Sequence, residues 1–172
     1  MSDARPAPGA ADALQRILFV CLGNICRSPT AEVVFRNRAT RAGVGHLVHT
    51  ASAGTGDWHA GMPPDRRAIE HARKRGYDLS PLRARQVVPD DFTHFDWVLA
   101  MDQSNLRMLR ALAPLGATAH VGLFLDFAPH LGLQDVPDPY YGGTPQFERV
   151  LDLVEQASDA LIAHLFLRQR PA

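Results

Sequence analysis

The stretch "RILFVCLGNICRSP", residues 16–29, decides the fold. Its first half, Arg16 to Leu22, is a short apolar run rich in β-forming residues, as expected of a strand buried on both faces of a parallel sheet. Its end, Ser28-Pro29, offers a helix cap followed by proline at the first helical position. Strand, tight loop and helix therefore follow one another. The helix is expected to run to about Ala42, with Gly43 as its stop.

Working outward, the same alternation repeats. A second strand is expected around His46 to Ser52, then a helix from Asp65 to Arg75 ended by Gly76. "FDWVLAM", 95–101, reads as a third strand, followed by a helix from about Gln103 to Ala113. "AHVGLFLDF", 119–127, reads as a fourth. After Thr144-Pro145, an apolar stripe of Phe147, Val150, Leu151, Val154, Ala157, Leu161 and Leu165 keeps helical spacing. Strands and helices alternating at these lengths predict an α/β fold, a four-stranded parallel sheet with helices on both faces. No repeat or linker interrupts residues 16–168, so one domain is expected there. Residues 1–15 read as a flexible N-terminal tail.

Composition narrows the class. The chain has 172 residues, 46% hydrophobic and 21% charged, ordinary values for a soluble globular domain. A chain of this size buries roughly two thirds of its unfolded surface and needs no staples. Its 18 basic and 18 acidic residues cancel, so composition gives no support for nucleic acid as a partner. No apolar run approaches the ~20 residues of a membrane span. Two cysteines make neither a disulfide framework nor a zinc pattern, and a reducing, cytoplasmic compartment fits best. The eight histidines show no metal-ligand spacing, so no metal is expected. The most basic stretch, Arg66 to Arg85, reads as a solvated helix face.

Both cysteines, Cys21 and Cys26, sit in the loop between the first strand and the first helix. In open parallel sheets ligands bind at the carboxyl ends of the strands. Gly23 and Asn24 tolerate left-handed backbone angles, so the chain can curl with successive N–H groups pointing inward. A curled loop that feeds a helix N-terminus cradles an anion, which makes this a phosphate-binding loop. Arg27 adds a planar fork matched to two phosphate oxygens. Groups that hold an anion also favour a thiolate at Cys21, and such a sulfur is a nucleophile aimed at phosphorus. Ser28 can donate its hydroxyl to that sulfur. A Cys-x5-Arg spacing alone favours a buried cysteine in an ordinary βα turn; the apolar strand, Gly23-Asn24 and Ser28 turn the balance to the catalytic reading.

Phosphate esters also need an acid for the leaving oxygen. "VPDPYYGG", 136–143, offers Asp138 in a proline-punctuated loop. Asp-Pro by itself marks a turn, but the adjoining Tyr140-Tyr141 can wall a slot for a flat aryl group, with Trp58 opposite. Asp102, in "MDQSN", reads as a helix cap.

"VCLGNICRSPTAE", "SAGTGDWHAG", "RARQV", "FDWVLAMDQSNL" and "DPYYGG" together resemble the low-molecular-weight protein tyrosine phosphatases of the bacterial type, over about residues 16–167. The resemblance implies Cys21 as nucleophile, Arg27 as phosphate-binding arginine and Asp138 as general acid. It implies that Asn24 and Ser28, with Ser52 behind them, hold the loop in its strained shape, and that Leu22, Trp58, Tyr140 and Tyr141 wall the crevice. Gly23, Ile25 and Cys26 complete the substrate-binding loop. Cys26 matches a second loop cysteine able to form a reversible disulfide with Cys21, and no cofactor is implied. The implied partner is a tyrosine-phosphorylated protein, in bacterial relatives often a tyrosine autokinase, with phosphate or sulfate as competitive ligands. Two positions depart from the pattern: Leu82 stands where some members support the loop asparagine with histidine, and His59 follows Trp58 where relatives vary.

Three rival functions fit the residues less well. Arsenate reductases of this fold need further cysteines after the loop, and none follows Cys26. Protein-arginine phosphatases carry threonine in place of Ile25 and lack the tyrosine pair. A non-catalytic phosphotyrosine-binding module would lack Cys21, Arg27 or Asp138.

Overall fold

The computed structural model describes residues 13–167. Four strands, β1 (Gln15–Cys21), β2 (Val48–Gly54), β3 (Trp97–Ala100) and β4 (His120–Leu123), form one sheet in the order β2-β1-β3-β4. All three pairings are parallel. The helices are α1 (Arg27–Arg41), α2 (Arg66–Lys74), α3 (Asp91–His94), α4 (Gln103–Leu112) and α5 (Thr144–Ile162), the last running into a wider turn over Ala163–Leu167.

β1 reads as an unbroken apolar run because both of its faces are covered. Ile17, Phe19 and Cys21 point into a core shared with α1 and α5, while Leu18 and Val20 point into a second core with Phe92, Phe95, Leu106 and Leu109. Phe19 has no exposed surface and lies between Phe35 and Phe124, ring centroids 5.7 and 5.0 Å away. Burial of a side chain of this size contributes roughly 1.5–3 kcal/mol. Every member of the terminal stripe from Phe147 to Leu165 is buried. The α/β architecture with helices on both faces stands as the sequence suggests.

The sheet order creates the site. β1 and β3 are neighbours whose connections leave in opposite directions, toward β2 and toward β4, so a crevice opens beyond their carboxyl ends. The loop after β1 and residues 101–102 after β3 meet there.

Several boundaries differ from the sequence reading. Residues 1–12 of the expected tail lie outside the described residues, but β1 already begins at Gln15, whose side chain accepts the Trp97 indole N–H at 2.8 Å. A polar residue at a strand start carries no apolar signal. Helix α1 begins at Arg27, so Ser28 lies inside it rather than capping it, its hydroxyl engaged by the loop. The second strand starts two residues later than expected, after a tight 3-10 turn over Gly45–Leu47. The fourth is shorter, because Phe124–Phe127 closes into another such turn. The basic stretch is not simply solvated. Arg66 is exposed, yet Arg75 is paired with Glu148, Asp152 and Glu155 and so fastens α2 to α5.

Candidate active site

Between Cys21 and Cys26, four carbonyls are tied to neighbours outside the loop. Thr55 N–H donates to Cys21 O at 2.9 Å, Gly56 N–H to Leu22 O at 3.0 Å and Asp65 N–H to Ile25 O at 2.7 Å. Thr30 Oγ1 donates to Cys26 O at 2.7 Å. Across a planar trans peptide the C=O and the following N–H point opposite ways. The N–H groups of Leu22, Gly23, Cys26 and Arg27 are thereby turned away from those neighbours, the arrangement of an anion nest.

Asn24 sets the curl. At φ +58° it is the only non-glycine residue with positive φ among the described residues, a conformation asparagine adopts more readily than most. Its side chain is buried and used at both ends: Oδ1 accepts the Arg85 N–H at 3.0 Å and Nδ2 donates to Ser28 Oγ at 2.8 Å. The backbone amide of Arg85 therefore provides the support that Leu82 cannot. Leu82 itself packs against the core.

Around Cys21 Sγ stand the Asn24 N–H at 3.3 Å and Ser28 Oγ at 3.0 Å. Ser28 accepts from Asn24, so its single hydroxyl proton is free for the sulfur or for Ala53 O at 3.3 Å. Cys26 is also a free, buried thiol. Burial, then the charges of Asp65, Cys21 and Asp138, push its thiol far above the ordinary range. It stays protonated.

Arg27 is 3% exposed and its guanidinium is oriented from three sides. Nη1 donates to Asp102 Oδ2 at 2.7 Å and to Val136 O at 2.9 Å; Nη2 lies 3.7 Å from Asp138 Oδ2. Burial works against its charge, but Cys21 and the two aspartates outweigh it and hold the guanidinium protonated. Asp102 does two jobs, because its Oδ1 also accepts the Asn105 N–H at 2.7 Å and caps α4.

Asp138 is partly exposed, its Oδ1 accepting the Tyr140 N–H at 3.1 Å across Pro139. The Tyr140 and Tyr141 rings meet edge to face at 5.0 Å. Tyr141 is 96% exposed and Trp58 70%, as rim aromatics awaiting a ligand would be.

Cys21, Leu22, Gly23, Ile25, Cys26, Arg27, Trp58, His59, Asp138, Tyr140 and Tyr141 line one cavity of about 740 Å³, open to solvent. The structure thus brings together every expected site residue except Asn24 and Ser28, which stand behind the loop and shape it. Ser52 does not touch the loop: its hydroxyl donates to the buried Glu32 Oε1 at 2.7 Å, while Ala53 O next to it faces Ser28. Sequence reasoning missed the contacts of Asp102 and Val136 with Arg27, for which no local pattern exists. His59 it noted only as a departure. The ring sits against Gly23 so closely that a Cβ there would lie 2.9 Å from His59 Cδ2. Among the described residues no three His, Cys, Asp or Glu side chains gather as a metal site. No helix among them is long and apolar enough to cross a membrane.

Comparison with known proteins identifies the family of the chain. Residues 16–170 match the family model described as "Low molecular weight phosphotyrosine protein phosphatase". The chain is 49% identical to the low molecular weight protein-tyrosine-phosphatase of Streptomyces coelicolor over 86% of this chain and 92% of that one. It is 42% identical to YfkJ of Bacillus subtilis, a low molecular weight protein-tyrosine-phosphatase, over 87% of this chain and 94% of the relative. The crystal structure of YfkJ superposes with a TM-score of 0.84, covering 92% of this chain and 98% of that one. A protein tyrosine phosphatase from Entamoeba histolytica, solved with Hepes in the active site, also superposes with a TM-score of 0.84 at 38% identity, covering 88% and 96%.

Proposed function

Since the chain belongs to the low molecular weight phosphotyrosine protein phosphatase family, and is thus a hydrolase of protein phosphotyrosine, we propose that it works through a cysteinyl-phosphate intermediate. The Cys21 thiolate attacks phosphorus in line with the departing phenol. The S–P bond forms as the P–O bond breaks, and protonated Asp138 delivers its proton to the phenolic oxygen. Arg27 and the loop N–H groups hold the three equatorial oxygens and balance their charge. Water then attacks the phosphoenzyme, giving a proton to the Asp138 carboxylate. The hydroxyl of Ser28 donates to the departing sulfur, and inorganic phosphate leaves.

The observation that carries this reading is Ser28 Oγ at 3.0 Å from Cys21 Sγ, with Cys21 lining the same cavity as Arg27 and Asp138. Tyr140, Tyr141 and Trp58 supply walls suited to a flat phenol. One phosphatase domain over residues 16–168 is proposed, acting in the cytoplasm on a tyrosine-phosphorylated protein such as a bacterial tyrosine autokinase. Phosphate and sulfate are competitive ligands, in keeping with the sulfonate buffer in the active site of the Entamoeba relative. Phosphotyrosine, phosphoserine and phosphoarginine peptides assayed side by side test the specificity. Only the first should turn over well, and a preference for phosphoarginine would overturn the reading.

A further inference from the structure

The nucleophile and the acid sit on loops more than a hundred residues apart in sequence, and a third segment joins them. The N–H of Asp65, just before α2, donates to Ile25 O of the phosphate loop at 2.7 Å. The Asp65 carboxylate in turn grips Arg67: Oδ1 accepts its backbone N–H at 2.8 Å and its Nε at 3.1 Å, and Oδ2 accepts Nη2 at 3.0 Å. The same guanidinium then reaches the acid loop. Nη2 donates to Tyr140 O at 2.9 Å and Nη1 to Gly142 O at 3.3 Å. It also lies over the Phe147 ring, 4.6 Å from the centroid, and 5.7 Å from that of Tyr140.

These contacts exceed what a helix cap needs. Capping α2 requires only the bond from the Arg67 N–H to Asp65. The fork to Tyr140 and Gly142 adds nothing to the helix. Among the described residues no other side chain donates to a backbone carbonyl between Asp138 and Gly143. The Asp65 carboxylate and the Arg67 guanidinium are charged, planar and multiply bonded, a geometry that fixes orientation rather than proximity alone.

We infer that Arg67 is a positioning residue for the general acid: anchored through Asp65 on the phosphate loop, it holds the Tyr140 and Gly142 carbonyls and so fixes Asp138 over the bound ester. The inference rests on the reading of Asp138 as the acid. A misplacement of about 1 Å from such a support costs on the order of a hundredfold where proton transfer matters. It costs little where the leaving group departs unaided.

Two variants test it. Arg67→Met keeps an apolar stem on Phe147 and loses every side-chain hydrogen bond. Arg67→Lys keeps the charge beside Asp65 and loses the fork. Turnover is measured for phosphotyrosine peptide and for 2,4-dinitrophenyl phosphate at a temperature where thermal unfolding shows each variant folded. Arg67→Met should slow the peptide roughly ten- to a hundredfold and the dinitrophenyl ester far less, with Arg67→Lys in between. Arg66→Ala, at an exposed neighbour, should match the parent. Combining Arg67→Met with Asp138→Asn should add no further loss on the peptide, because the displaced acid is already gone. If Asp138→Asn depends on the leaving group while both Arg67 variants slow the two substrates alike, or their losses add to that of Asp138→Asn, the positioning role is wrong. If Asp138→Asn itself slows both substrates alike, the acid assignment fails, and the role of Arg67 falls with it.

Discussion

Arg27 Nη1 donates to Asp102 Oδ2 at 2.7 Å, so the phosphate-binding guanidinium is oriented before any phosphate arrives. An ammonium in its place cannot offer two parallel N–H groups to two oxygens. Arg27→Lys should therefore be nearly as damaging as Arg27→Ala, read as kcat/KM and as inhibition by inorganic phosphate. Normal turnover by Arg27→Lys would exclude the clamp.

Asp102 separates stability from orientation. Asp102→Ala removes the cap of α4 and should cost about 1 kcal/mol of stability. Asp102→Asn keeps a capping oxygen and should recover most of it, while turnover stays reduced because Arg27 has lost its charged anchor. Thermal unfolding and turnover on the same two variants read the two effects. A fully active Asp102→Asn would show that the fork needs no carboxylate behind it.

Cys21→Ser should abolish turnover yet still bind phosphate, since Arg27 and the loop amides remain and only the nucleophile is lost. Calorimetric titration with phosphate and a turnover assay report the two separately. Retention of more than a few per cent of the parent rate would rule out Cys21 as nucleophile.

Cys26 gives a pH and a redox prediction. Burial foremost, then Asp65, Cys21 and Asp138, raise its folded value above the ordinary 9.0. The unfolded chain loses this proton near pH 9 while the folded chain keeps it, so the folded state binds more protons and stability falls as pH rises past 9. The midpoint of thermal unfolding should fall more steeply above pH 9 in the parent than in Cys26→Ser. A protonated Cys26 is also a poor first target for peroxide, so the disulfide implied by the family resemblance would follow oxidation of Cys21. Mild peroxide should inactivate the parent reversibly, with the loop peptide lighter by two hydrogens. If Cys26→Ser recovers as fully as the parent, no such bond protects the enzyme.

The parts of the fold and site legible in the sequence are those encoded locally. β1 was readable because burial on both faces leaves an unbroken apolar run, and α5 because one buried face leaves a helical stripe. The nest was readable because Gly23, Asn24 and Arg27 lie within five residues. Arg85 was not, since it supports Asn24 through a backbone amide that any non-proline residue carries. Asp102 showed only its cap, because the bond to Arg27 spans 75 residues. Ser28 was misread as a cap for a related reason: its hydroxyl has partners in space better than the helix end. Resemblance to the family supplied Ser52 as a loop support, and here that hydroxyl turns to Glu32 instead.

Asp138→Asn should slow hydrolysis of phosphotyrosine and affect an aryl phosphate with a very acidic phenol much less. General acid catalysis is typically worth about 10²–10⁴-fold, and little of it is needed when the leaving group departs unaided. What is measured is therefore the dependence of rate on leaving-group acidity, which should steepen in the variant, with the burst of phenol release lost for basic phenols. Asp135→Asn is the comparison. Asp135 lies outside the cavity and its Oδ1 accepts the Gln103 N–H at 3.0 Å, so it tethers the acid loop to the start of α4. An amide oxygen preserves that bond, so Asp135→Asn should leave the leaving-group dependence unchanged. Equal slowing by Asp138→Asn across all leaving groups, or the same steepening in Asp135→Asn, would mean that Asp138 shapes the loop and some other group carries the proton.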